Sequence, residues 1–202
     1  MIFETKDLII RPSRWEDIEI FYPWELEPAV TKFFSIRDGQ TMEDVIKKYI
    51  ADDTDPKAMQ FTICMKPEDW DEAEDRDTAA ASAQPIGRIV LADIEDGWKA
   101  ELWRIYIADT ALRGKGLGKQ SMVAMMSYCF DVLGLQRLYL DHYTGNPASG
   151  LYLSLGFQYE GVLRQNCRKN GVLYDVHLMS MLKDEYYEKY AEWYDSEEED
   201  DV

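Results

Sequence analysis

Between Ile105 and Leu133 the chain passes from strand to helix through a turn that holds Gly114, Gly116 and Gly118 within five residues. No other feature narrows the fold as much. "RIYIAD" reads as the end of a strand. From 116 to 133, Met122, Val123, Met126, Phe130 and Leu133 lie on one helical stripe, and Gly134 follows as a stop. A helix that begins from so bare a backbone presents unpaired N–H groups and a partial positive charge, worth roughly 0.3–1 kcal/mol for each well-placed anion. Arg113, Lys115 and Lys119 add mobile charge. From Ala111 to Met122 there is no acidic residue, in a chain whose formal net charge is −17. The segment is built to meet a phosphate.

Two common phosphate motifs do not fit. A P-loop needs G-x-x-x-x-G-K-[ST], and counting from Gly114 puts Lys119 where the second glycine belongs. A dinucleotide fingerprint, G-x-G-x-x-G, fails at the same residue. What remains is R-x-x-G-x-G, from Arg113 to Gly118. Taken alone, glycines in a strand–helix turn are equally readable as structural.

The rest of the chain places this turn in a mixed sheet. Leu8–Arg11 reads as a strand, followed by a helix that Ser13 and Glu16 would open as a capping box. Thr41 and Asp44 repeat that device before Val45, Ile46, Tyr49 and Ile50. Strands are expected at 58–65, in "IGRIVLADIE" and in "KAELWRIYIAD", and the acidic stretch 66–85 between them reads as an enlarged, mobile hairpin loop. After the long helix come the strand "QRLYLDHY" and a short helix with Asn146 as N-cap, Pro147 at its first position and Gly156 as stop. Two last strands join at Asn170-Gly171, a strong hairpin signal. A short amphipathic helix over 183–193 precedes the tail. No linker divides the pattern, so residues 1–190 are expected to form one domain, with 195–202 as an acidic disordered tail.

Composition excludes several functions. The charge is concentrated: residues 66–77 carry seven acids and two bases, and residues 195–202 carry six acids and no base. Such a surface repels nucleic acid and favours cationic partners. No apolar run is long enough to span a membrane, and the first residues lack a signal-peptide pattern. Three scattered cysteines and two histidines form no metal spacing and no disulfide framework, so no metal is expected and a reducing cytoplasm is.

Three linked motifs resemble the GCN5-related N-acetyltransferase (GNAT) superfamily. R-x-x-G-x-G is that family's pyrophosphate signature. Asn146 followed by "LYLSLGF", with Leu151, Tyr152, Gly156 and Phe157, matches the next family element. The ending "EGVLRQNCRKNGVLYDVHLMSML" and the opening "LIIRPSRWEDIE" look like the branch containing ribosomal-protein N-terminal acetyltransferases and spermidine acetyltransferases. The resemblance spans about residues 7–187. Two features depart from the family pattern: the interval from Asn146 to Tyr152 is one residue shorter than usual, and the acidic insertion at 66–85 is not a general feature.

The resemblance implies an α/β (α+β) fold, a mixed, mostly antiparallel sheet of about seven strands flanked by helices. It implies acetyl-CoA as co-substrate. The pyrophosphate would lie on Arg113, Gly114, Lys115, Gly116, Leu117, Gly118 and Lys119, the pantetheine arm along Ile105 and Ile107, and Asn146 nearby. The acceptor would be a primary amine, either a protein N-terminus or a small polycation such as a polyamine or aminoglycoside. A homodimer is compatible with it. Transfer to an amine requires a base, because an amine is mostly protonated at neutral pH, and an acid for the departing thiolate. Tyr152 matches the family's acid and Glu101 is the expected base; Asp141, His142 and Asp175 stand in reserve. Trp15, Trp24, Phe33, Phe34 and Trp103 are candidates for an acceptor pocket as well as for the core. The alternative is a non-catalytic acyl-CoA-binding scaffold with the same fold.

Overall fold

The structure, a computed structural model, describes residues 1–198. Among them, eight strands form one sheet: Phe3–Glu4 (β1), Leu8–Pro12 (β2), Met59–Met65 (β3), Pro85–Glu95 (β4), Lys99–Ile107 (β5), Arg137–Tyr143 (β6), Gln158–Lys169 (β7) and Val172–Leu182 (β8). Their order across the sheet is β1-β2-β3-β4-β5-β6-β8-β7. The two-residue β1, paired with β2, takes the count past the expected seven. The helices are Ile18–Trp24 (α1), Pro28–Thr31 (α2), Met42–Thr54 (α3), Arg76–Ser82 (α4), Leu117–Ser127 (α5), Ser149–Leu155 (α6) and Lys183–Glu198 (α7).

The main core lies between the sheet and α5. Met122, Met125 and Met126 meet Leu8, Ile10, Ile63, Ile89 and Leu138, all nearly inaccessible to solvent. Each such side chain contributes about 1.5–3 kcal/mol relative to exposure. The expected stripe continues past α5 as one π-helical turn, Tyr128–Val132, which rotates Cys129 and Phe130 into the core before Gly134. The extra residue of a π-turn shifts the helical phase, and the sequence period does not show it.

The capping box of Thr41 and Asp44 forms: the Asp44 N–H donates to Thr41 Oγ1 at 3.2 Å and the Thr41 N–H to Asp44 Oδ2 at 2.8 Å. The one expected at Ser13 and Glu16 does not. There Ser13 Oγ pairs with Thr62 Oγ1, and Asp17 receives the Arg14 N–H at 2.9 Å instead. A buried guanidinium, Arg11, holds Asp17 in that place with two contacts of 2.7 and 2.8 Å. Asn146 is likewise not the helix cap. It closes a turn by accepting the Ala148 N–H at 2.9 Å, and α6 begins at Ser149.

The acidic insertion is a folded element rather than a mobile loop. It contains a 3-10 turn at Trp70–Glu72 and α4, and Trp70 and Ala80 are buried against Ile9 and Cys64. Lys66 and Arg76 both reach Glu4, at 2.5 and 3.1 Å, and the Arg11 Nε donates to the Ala80 carbonyl at 3.1 Å. The terminal helix α7 runs to Glu198, beyond the expected 193; residues 199–202 of the acidic tail lie outside the described residues.

One irregularity positions the site. Along β4 and β5 the register steps from Val90↔Arg104 to Leu91↔Leu102, so Trp103 is an extra residue on β5. A bulge reverses which face the following side chains take. Ala100 and Leu102 lie in the main core and Ile105 and Ile107 pack on it, while Arg104 and Tyr106 turn to the opposite face. Gly87 allows β4 and β5 to close beyond the bulge: a Cβ there would fall 2.2 Å from the Tyr106 carbonyl oxygen.

Candidate active site

β5 and β6 are parallel neighbours for three rungs, Lys99↔Arg137, Ala100↔Leu138 and Glu101↔Tyr139, and then part. A cleft of about 950 Å³ opens where they diverge. Its walls are Leu102–Ile107 of β5, the glycine turn, the first turn of α5, Ala148–Tyr152 and the α2 segment. The Ala108 N–H donates to the Ile86 carbonyl at 2.8 Å, toward β4. Backbone direction alternates along a strand, so the N–H and C=O groups of Ile105 and Ile107 point the other way, into the gap that β6 has left. A ligand lying there would meet an unpaired strand edge.

The glycine turn is shaped by its neighbours. Asp109 accepts the Ala111 N–H at 2.8 Å, which tightens Thr110–Leu112 into a single 3-10 turn. Gly114 and Gly116 follow with φ of 75° and 81°, the left-handed region in which a Cβ is strained. Gly116 is the N-cap of α5 and carries no side chain to cap it. The Gln120 N–H already bonds to the Gly116 carbonyl at 3.0 Å, so the N–H groups of Leu117, Gly118 and Lys119 remain directed at the cleft mouth. Gly118 packs toward α6, where its Cβ would sit 3.9 Å from Leu151. Arg113 and Lys119 line the cleft. Lys115 is exposed and outside the lining, so its charge acts from the rim. Asn146 lines the cleft with its carbonyl oxygen already engaged, which leaves the amide NH₂ to donate.

Tyr152 lines the cleft from the α6 side and is 7% exposed. Burial, with a contribution from the negative charge of Asp141, pushes its hydroxyl up to about 12. It is therefore protonated at neutral pH. Glu101 stands on the last rung before the strands part, and its side chain takes the face opposite Ala100 and Leu102. Burial, and the nearby charges of Asp141 and Asp93, push its carboxyl up to about 7 against a smaller opposing effect of Lys99. Glu101 is not itself part of the cleft wall. Asp141, one alternate position beyond Tyr139 on β6, is.

The other reserve residues have structural employment. His142 is buried behind Tyr152, 6.1 Å from its ring, and stacks on His177 at 5.2 Å. Asp175 accepts the Gln165 N–H at 2.7 Å and fixes the bulge in β7. Of the aromatic candidates, Phe33, Phe34 and Trp103 line the cleft; Trp15 and Trp24 pack elsewhere, on Tyr49 and on Phe21 and Tyr106. Trp103 lies between two cations, with Lys48 4.3 Å and Arg104 4.5 Å from its ring centre.

Beside the expected Phe33 and Phe34, several lining residues such as Ala29 and Lys32 carry no local signal in the sequence. The α2 segment closes one side through Ala29, Lys32, Phe33 and Phe34, and is tied to the glycine turn where Arg113 Nη2 donates to the Ala29 carbonyl at 2.7 Å. Beneath it, Glu25 Oε1 receives Arg88 at 2.8 Å, Arg104 at 2.6 Å and the Tyr106 hydroxyl at 3.1 Å. Burial pushes the Glu25 carboxyl up, but the two guanidinium groups outweigh it and hold it below the ordinary value. The signal for this hub is three charged residues inside otherwise apolar segments.

The family model of the acetyltransferase (GNAT) domain matches residues 7–158. The chain belongs to that family, a family of acyltransferases. It is 29% identical to the uncharacterized N-acetyltransferase YoaA of Bacillus subtilis over 192 residues, which cover 90% of this chain and 97% of that one. Its fold is that of spermidine N-acetyltransferase from Vibrio cholerae, solved in complex with CoA and spermine: TM-score 0.74, 22% identity, 90% of this chain and 99% of the other. It is also that of the Salmonella typhimurium acetyl transferase that modifies the N-terminal serine of ribosomal protein L7/L12, with TM-score 0.70, 16% identity and the same coverage.

Proposed function

We propose that this chain transfers the acetyl group of acetyl-CoA to the primary amine of a small polycation. The observation that carries this reading is the parting of β5 and β6 between two kinds of proton group. Tyr152 faces the gap from the α6 side, and the carboxylates Glu101 and Asp141 stand on the opposite face at its vertex. The N–H groups of the α5 start, with Arg113 and Lys119, are suited to a pyrophosphate. The open edge at Ile105 and Ile107 is suited to an extended amide-bearing arm.

An acetyl thioester bound in this way supplies the group to be transferred. The protein orients it by strand-like pairing and keeps water from its inner end with Leu102, Met122 and Leu151. A carboxylate at the vertex takes a proton from the incoming ammonium. With an ordinary carboxylate near 4.3 and an ordinary amine near 10.4, that transfer spans about 6 units; a carboxyl raised above its ordinary value, as those of Glu101 and Asp141 both are, narrows it. Tyr152 serves the leaving sulfur. A phenol near 12 lies above a thiol of ordinary value about 8.5, so complete proton transfer would be uphill by roughly 5 kcal/mol. Its contribution is a hydrogen bond donated to the developing thiolate, with solvent completing the protonation.

Carboxylates rather than ammonium groups stand at the vertex, which favours a cationic acceptor, and the similarity to a spermidine acetyltransferase supports the same class. Thiol release from acetyl-CoA is to be followed with spermidine, spermine, an aminoglycoside and a set of N-terminal peptides. Turnover of a polyamine or aminoglycoside supports the reading. Turnover of peptides alone would redirect it to protein N-termini, and no thiol release with any amine would overturn it.

A further inference from the structure

We infer that Asp141, and not Glu101, is the carboxylate that meets the acceptor's ammonium, with Glu101 acting through it as a positioning residue. This rests on the transfer reading above and assigns its proton-accepting step to one side chain. Glu101 ends the paired part of β5 and looks across the sheet at Tyr139, in a place that the cleft does not reach. Asp141 lies one alternate position further along β6, on the same face, where the strand no longer has β5 beside it. It is open to solvent and lines the cleft together with Tyr152. An amine held in the cleft therefore meets Asp141 rather than Glu101.

The electrostatics agree with this order. The charge of Asp141 acts on both proton groups of the cleft, raising the Glu101 carboxyl and the Tyr152 hydroxyl. Asp141 itself is lifted above the ordinary carboxylate value by the protein around it, against an opposing effect of His142. The other charged and titratable groups near the pair are Asp93 of β4, Lys99 and Arg104 of β5, Tyr139 and Tyr143 of β6, and Tyr152 of α6. Two interacting carboxylates resist simultaneous ionisation, so the pair holds one proton firmly, and the charge of Asp141 keeps that proton on Glu101. In the step proposed, the ammonium N–H bond breaks and an O–H bond forms at Asp141. The freed lone pair makes the N–C bond as the C–S bond breaks, the electron pair leaves on sulfur, and the second N–H proton of the new amide passes through solvent to that thiolate, which Tyr152 hydrogen-bonds.

The test compares Asp141→Asn with Glu101→Gln, using the amine of the panel that turns over fastest. Asp141→Asn is expected to lower kcat/KM for the amine by about 10²–10⁴-fold, with acetyl-CoA affinity unchanged by calorimetry. Glu101→Gln is expected to keep kcat within about tenfold and to remove from the pH profile the ionisation near 7 that belongs to Glu101, leaving an acidic limb set by Asp141. Carboxyl carbon NMR of the wild-type protein supplies a readout independent of the variants: adding the amine should move the Asp141 resonance more than that of Glu101. A loss in Glu101→Gln equal to or larger than that in Asp141→Asn, or a larger shift at Glu101, overturns the assignment. Failure of the transfer reading is distinguishable, because the wild type would then release no thiol with any amine.

Discussion

Lys169, at the end of β7, donates its ammonium to the backbone carbonyl of Thr31, 2.6 Å away at the end of α2. The two residues are 138 positions apart in sequence, and the Lys169 side chain is 8% exposed. The Asp38 N–H adds a bond to Asn170 Oδ1 at 3.1 Å from the same hairpin turn. With Arg113 holding Ala29 from the glycine turn, the short α2 segment is clasped at both ends by basic side chains on main-chain oxygens. A four-residue helix has little stability of its own. Its position over the cleft comes from these clasps.

Replacing Lys169 with Met should therefore release one end of the segment. The Thr31 carbonyl loses a charged donor in a buried place, a cost of about 1–3 kcal/mol. Urea denaturation should show the midpoint falling with an unchanged slope, and the acceptor's KM should rise several-fold while acetyl-CoA affinity holds. An unchanged midpoint would mean that the clasp contributes nothing.

Arg113 has two expected partners, the Ala29 carbonyl and a phosphate of the cofactor. Arg113→Glu puts a carboxylate at the mouth of the glycine turn, where three N–H groups attract an anion. The dissociation constant for acetyl-CoA is expected to rise at least tenfold, about 1.4 kcal/mol. Calorimetry reads this directly, and equal affinity in the two proteins would remove the glycine turn from the cofactor site.

The half of the cleft that the proposed reading gives to the cofactor draws on signals that are local in the sequence. A glycine turn between a strand and a helix is a continuous string, and so is the stretch that carries Tyr152. The acceptor half was not legible there, because it is assembled from distant pieces. Nothing around Ala29 predicts that Lys169 and Arg113 will hold its segment in place. The bulge at Trp103 reverses the faces of β5 without breaking its alternating pattern, so Arg104 looks like a surface residue until Glu25 is found beneath it. The inferred precedence of Asp141 over Glu101 needs the extent of the β5–β6 pairing, which the sequence does not give. The failed cap at Ser13 has a similar cause: Thr62 of β3, distant in sequence, engages both Ser13 and Asp17, and with Arg11 it wins over a local motif. In the insertion, read from the sequence as a mobile loop, the indole of Trp70 is buried with Ile9 and Cys64, a long-range packing that the acidic composition hides.

The Tyr152 hydroxyl is expected to act only when the thiolate leaves. Tyr152→Phe keeps the ring among His142 and Phe157 and removes one oxygen. Turnover should fall by about 10²–10⁴-fold with acetyl-CoA affinity nearly constant. Because burial holds this hydroxyl near 12, its ionisation should not produce a basic limb in the wild-type profile below about pH 10. Full activity in the variant would return Tyr152 to a packing role.

The buried pair Arg11–Asp17 makes a prediction about stability and pH. Asp17 accepts two bonds from Arg11, the Arg14 N–H at 2.9 Å and the Thr62 hydroxyl at 2.7 Å, and is 3% exposed. Burial alone would raise its carboxyl, but these donors together hold it below the ordinary value of 3.8. A carboxyl depressed in the folded state contributes stability above its unfolded value, and the contribution is lost as pH falls through the folded one. Asp17→Asn retains the shape and leaves Arg11 as a buried charge without a counter-ion, a change expected to cost about 3–5 kcal/mol at pH 7. The gap between wild type and variant should persist from pH 7 to about 5 and narrow below about 4, where the wild-type carboxylate begins to take up its proton. Replacing the pair together, Arg11→Met with Asp17→Leu, should recover most of the loss, since no unpaired charge then remains. Denaturation curves for the three proteins at pH 7, 5 and 4 decide the matter: a gap independent of pH would show that Asp17 contributes through its shape and hydrogen bonds and not through its charge.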